Sequence, residues 1–271
     1  MLRNVNDLYG ASVAATDGPI GAVRDLLFDD QSWTVRFLVV ETGTWLAKRM
    51  VLLWPKAIRD SGSAPIALSA SVTQYQVKNS PDVDTHKPVS RQHEVEQYGY
   101  YGYPFYWGEP DLWGNGARPG MSLAGYGNLK LPTTGTKEKE FVAAQAKLHR
   151  QRGDDPHLRS CRAIDRYHIH ATDGDIGHVD GIIIDAQTWA IRYLVVNTSD
   201  WWLGHQVLIA PQWIEDISWL EATIGLDITR GAVKASPAYV AQTMPDRQQE
   251  EVMYDHYGRP TYWREGEQLF E

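Results

Sequence analysis

The hexapeptide Thr16-Asp17-Gly18-Pro19-Ile20-Gly21 returns as Thr172-Asp173-Gly174-Asp175-Ile176-Gly177, and the same shift of 156 residues carries far beyond it. It places Trp33 on Trp189, Arg36-Phe37-Leu38-Val39-Val40 on Arg192-Tyr193-Leu194-Val195-Val196, and Trp45 on Trp201. Val51-Leu52 and Pro55 fall on Val207-Leu208 and Pro211, Ser80-Pro81 on Ser236-Pro237, and Tyr106-Trp107 on Tyr262-Trp263. About a third of roughly a hundred positions are identical without a gap, which marks two copies of one structural unit. The chain divides accordingly into a first repeat over 1–107, a connector over 108–156 and a second repeat over 157–263.

Within each copy the pattern is that of short strands parted by turns. Ala11 to Ala15 meets Ile20 to Phe28 across an Asp-Gly turn, which predicts a hairpin. Thr34 to Glu41 and Met50 to Trp54 are β-branched and apolar runs, and Ile66 to Val72 supplies a last strand. The second copy repeats this as Gly177 to Asp185, Ala190 to Asn197, Gln206 to Ala210 and Thr223 to Ile228. Its Gly181-Ile182-Ile183-Ile184-Asp185 run is apolar enough for a strand buried on both faces. The expected fold class is mainly β with short helices: two tandem small β-barrels, since closure removes exposed strand edges. Short helices are predicted before Ser80-Pro81 and Ser236-Pro237 and over Arg91 to Tyr101 and Arg247 to Tyr257. In the connector, Gly114, Gly116, Gly120, Gly125 and Gly127 predict loops, and Lys137 to Gln151 predicts one helix.

Composition narrows the function. A net charge of −8 disfavours a surface that binds nucleic acid by displacing counterions from phosphates. One cysteine, Cys161, excludes an intrachain disulfide and a thiolate zinc cage, as fits a reducing compartment. No leader pattern opens the sequence, and no stretch approaches the roughly eighteen apolar residues of a membrane span. The expectation is a cytoplasmic protein with no membrane association, the Trp201-Trp202 pair notwithstanding, because acidic charge opposes anionic lipid.

The Gly18 to Val23 segment (Gly-x-Ile-Gly-x-Val), the turn at Asp29, the Val35 to Val40 strand, Trp45, Val51-Leu52 and Pro55 together resemble a PRC-barrel domain, as does Gly174 to Pro211. That family is similar to the cytoplasmic domain of the photosynthetic reaction centre H subunit and to the C-terminal domain of the ribosome maturation factor RimM. The tails resemble extensions of duplicated bacterial proteins of this kind. The resemblance implies a docking module rather than a catalyst, and a fold alone does not transfer a partner.

Several side chains invite a sharper reading. Tyr98 to Trp107 is dense in aromatics, of which Tyr98, Tyr101 and Trp107, with Tyr254, Tyr257 and Trp263, are expected to pack on their own sheets. Tyr100, Tyr103 and Phe105, which the second tail lacks, are the candidate partner surface. His168-x-His170 would put two imidazoles on one strand face, a start for a metal site, but Ser12 and Ala14 stand at the same places in the first copy, and two ligands are too few. Asp17 and Asp173 read as turn formers bonding neighbouring amides, and Arg36 and Arg192 as members of structural ion pairs. No nucleophile–base–acid set, phosphate loop, dinucleotide fingerprint or zinc-protease helix is present, so neither enzyme activity nor a cofactor is expected. The reading is a non-catalytic protein–protein interaction or adaptor module whose partner is another protein, its barrels forming an intramolecular pseudo-dimer or a homo-oligomer. The alternative is a small-molecule or metal sensor using a groove between the barrels.

Overall fold

A computed structural model describes residues 1–60, 66–81, 97–102, 158–198, 205–240 and 243–263. The chain is mainly β, with two similar seven-stranded sheets and a few short helices. The connector over 108–156, including the helix expected over 137–151, lies outside the described residues.

In the first repeat the strands are β1 (Leu2–Asn4), β2 (Ser12–Ala15), β3 (Gly18–Asp29), β4 (Thr34–Thr42), β5 (Met50–Leu53), β6 (Ile58–Asp60) and β7 (Ala67–Ala70). The second repeat gives β8 (Leu158–Ser160), β9 (His168–Ala171), β10 (Gly174–Asp185), β11 (Ile191–Asn197), β12 (Gln206–Ile209), β13 (Ile214–Ser218) and β14 (Thr223–Leu226). Helices α1 (Gln74–Lys78), α2 (Arg230–Ala235) and α3 (Arg247–His256) follow the sheets, and residues 97–101 are helical as well.

One sheet runs β5-β4-β3-β2-β7-β6 and the other β12-β11-β10-β9-β14-β13. The terminal strands of each order do not pair, so the barrels predicted from the sequence are not closed. The reason lies at Pro55 and Pro211. Each opens a three-residue 3-10 turn between the two terminal strands, and proline has no N–H to offer a ladder. Strands β6 and β13 therefore leave the turn to pair only with β7 and β14.

The compact units are not two contiguous lengths of chain. One holds Val5–Ala163 with the turn Ala186–Ala190; the other holds Met1–Asn4, Ile164–Asp185 and Ile191–Glu271. Each sheet thereby takes its seventh strand from the opposite repeat. In the first unit, Leu158, Arg159 and Ser160 of β8 pair with Asp29, Phe28 and Leu27 of β3. In the second, Leu2, Arg3 and Asn4 of β1 pair with Asp185, Ile184 and Ile183 of β10, the same register 156 residues on. These strands cover the half of each long strand that the hairpin leaves bare, so no open ladder remains there.

Burial follows. Leu26, Leu27 and Phe28 are buried on both faces of β3 as Ile182, Ile183 and Ile184 are in β10. The second glycine of the repeated Gly-x-Ile-Gly motif serves close approach: a Cβ on Gly21 or Gly177 would stand 1.9 Å from the carbonyl oxygen of Glu41 or Asn197.

Two equivalent sheet faces as candidate functional site

The turn that begins each hairpin is built by the same contact in both units. Asp17 Oδ1 accepts from Gln74 N at 2.7 Å and Asp173 Oδ1 accepts from Arg230 N at 2.6 Å. The turn carboxylates thus cap helices α1 and α2 rather than neighbouring amides, satisfying first-turn donors that the helix cannot pair itself.

On the first sheet this hairpin borders a groove of about 480 Å³ lined by Ser12, Ala14, Pro19, Trp45, Ala67 and Leu68, among others. The Trp45 indole donates to Ile20 O at 2.8 Å and is still 37% exposed, which fixes an aromatic wall beside small apolar residues. The equivalent face on the second sheet has changed chemistry. Ser12, Ala14, Pro19 and Ala22 are replaced by His168, His170, Asp175 and His178. Ladder partners place these on one outward face, with His168 opposite His178 and His170 opposite Asp175. His170 Nδ1 meets Asp175 Oδ1 at 2.5 Å. On the other side β14 runs parallel, with Gly225 beside His170 under the Asp216 carboxylate. The sequence singled out His168 and His170 alone; His178 and Asp175 join them through a register containing a bulge between Asp175 and Gly177. As the side chains stand, no three His, Cys, Asp or Glu among the described residues are gathered to hold a metal ion.

The aromatic tails pack as expected where they are described. Tyr98 and Tyr254 are buried, Tyr98 against Phe37 and Trp54, and Tyr254 against Trp213 and Trp263. Burial pushes the Tyr101 hydroxyl up to about 12. Of the partner-surface candidates, Tyr103 and Phe105, like Trp107, lie outside the described residues. Tyr100 is 39% exposed, yet its hydroxyl donates to Gln76 O at 2.9 Å. The equivalent His256 Nε2 makes the equivalent contact to Ala232 O at 2.8 Å, so Tyr100 ties its helix to α1.

The second tail adds a network the sequence did not announce. Glu250, 3% exposed on α3, accepts from Tyr193 at 2.6 Å and Tyr262 at 3.0 Å, and its other oxygen lies 3.2 Å from Arg247. Arg192 sits over the Tyr262 ring at 4.0 Å and 3.8 Å from Asp185, a structural ion pair. Burial, followed by the charges and phenols around it, holds the Tyr193 hydroxyl far above the ordinary tyrosine range. In the first unit Arg36 Nη2 donates to Ser32 Oγ, which itself donates to Asp29.

A further polar group holds β8. Asp25 accepts from Ser160 Oγ at 2.5 Å and from the Leu26 and Arg162 amides, and its carboxyl is raised above the usual range by burial against those bonds. Ser160 Oγ also accepts from Ala163 N, so both its hydrogen-bonding roles are structural. Arg159 pairs with Asp30 at 2.7 Å, and the adjacent Cys161 is buried with its thiol pushed up by desolvation.

No helix among the described residues is long and apolar enough to cross a membrane. No model of a known protein family matches this chain, and no curated protein matches it.

Proposed function

We propose that the chain is a non-catalytic docking protein built from two PRC-barrel-like modules, with the groove beside Trp45 receiving a segment of another protein. The groove carries the reading: a partly exposed indole is held beside Pro19, Ala14, Ala67 and Leu68, the setting in which aromatic side chains anchor partners. The polar groups nearest to reactive chemistry, Asp25 with Ser160 and Glu250 with its tyrosines, are taken up in holding strands and tails together. Pro19, Ile20 and Gly21 of the family-like Gly18 to Val23 segment, together with Trp45, line the same groove.

Site-specific photocrosslinking tests this in cells. A crosslinker at Thr44, on the groove, is expected to give one discrete adduct that Trp45→Ala abolishes, while a crosslinker at Tyr75, exposed on α1, gives none. The same adducts from both positions, or an adduct indifferent to Trp45→Ala, would remove the groove from the proposal.

A further inference from the structure

We propose that the outward face of the β9–β10 hairpin binds one divalent transition-metal ion of the class imidazole favours, Zn²⁺, Ni²⁺ or Cu²⁺, through His168, His170 and His178. The backbone sets the spacing. His168 and His178 are direct cross-strand partners, for which Cβ atoms stand about 4.5–5.5 Å apart, and His170 lies two residues along β9 on the same face. Three imidazoles from two adjacent strands can then reach one ion from one side and leave its outer positions to water or an incoming ligand.

The contact of His170 with Asp175 supports this arrangement. With Nδ1 turned to a carboxylate, the ring directs Nε2 away from the hairpin as the electron-pair donor, the orientation in which metal-bound histidines are held. The Asp216 carboxylate above Gly225 adds negative charge beside the same row. Gathering the three rings takes rotation about side-chain bonds at an exposed and a half-buried histidine, a fast motion that leaves the ladder in place. Comparison with the first repeat isolates the change. The ladder there is the same, and its four matching positions hold Ser12, Ala14, Pro19 and Ala22, without one metal donor of this class.

Equilibrium dialysis of the tag-free full chain against NiCl₂ and ZnCl₂ is the test. One ion per chain is expected, with affinity at least tenfold weaker in His168→Ala and in His178→Ala. Asp175→Asn should weaken it by roughly ten- to a hundredfold through the orientation of His170, and His205→Ala, away from the hairpin, should leave it unchanged. Absence of binding by the full chain, or binding that survives the triple replacement of His168, His170 and His178 by Ala, overturns the proposal. Neither outcome bears on the groove beside Trp45, which lies in the other unit.

Discussion

The Tyr193 hydroxyl donates to the Glu250 carboxylate at 2.6 Å across the face of the second sheet, and Phe37 stands where Tyr193 would be in the first repeat. A buried carboxylate held by two phenols and an arginine fixes α3 in one position. Tyr193→Phe removes one donor and leaves Glu250 with Tyr262 and Arg247, so a loss of about 1–3 kcal/mol is expected in urea unfolding. Phe37→Tyr, the reverse exchange, should not stabilise the first repeat by a comparable amount.

The glycine approach predicts an asymmetric pair of substitutions. Gly177→Ala drives a Cβ into the Asn197 carbonyl at a backbone φ of +151°, where an L residue is strained as well. A loss of about 2 kcal/mol or more is expected. Gly10→Ala, at φ +80° with open space around it, should lose only the strain of that conformation, about 1–2 kcal/mol. Equal losses at the two sites would mean that the carbonyl contact has no energetic weight.

Lys56 gives a pH signature. Burial, aided by the nearby Arg36 charge, lowers its ammonium from 10.5 to about 8. Between those values the unfolded chain binds a proton the folded one has lost, so stability should rise as pH climbs from about 8 to 10.5. Lys56→Gln copies the equivalent Gln212, which donates to the Tyr254 hydroxyl at 3.0 Å. Thermal melts across this range should show a rise in the parent that flattens in the variant; parallel curves would contradict it.

Strand exchange predicts what happens when the chain is cut. With a protease site inserted between Gly125 and Tyr126 and then cleaved, the two pieces should co-elute under native conditions, because each sheet contains strands from both. Separation without denaturant would show that β1 and β8 contribute little to holding them.

The main strands were readable because each is a β-branched run with a turn residue at its end: Asp17-Gly18 before β3, and Pro55 after β5. Strands β1 and β8 were not, since three residues carry no period and their partners lie in the other repeat. The same limit hid half of the histidine face. Alternation along one strand aligns His168 with His170, but only the bulged register brings in His178 and Asp175. Asp17 announced a turn and concealed its helix, 57 residues away, because a capping bond leaves no local pattern at the carboxylate. Tyr100 looked like a contact for a partner because it is aromatic and unmatched in type. Its hydroxyl also does the work of His256 at the equivalent place, a substitution of residue that preserves the bond and leaves the ring 39% exposed.

The three-residue strands Leu2–Asn4 and Leu158–Ser160 also bind the histories of the two copies together. A change in the Leu-Arg pair that opens one repeat therefore acts in the sheet of the other, and neither repeat completes its seven strands alone. The outward faces are free of that mutual obligation. Both copies carry a tryptophan in sequence, Trp45 and Trp201, but on those faces Ser12, Ala14 and Ala22 of one give way to His168, His170 and His178 of the other on an otherwise equivalent ladder.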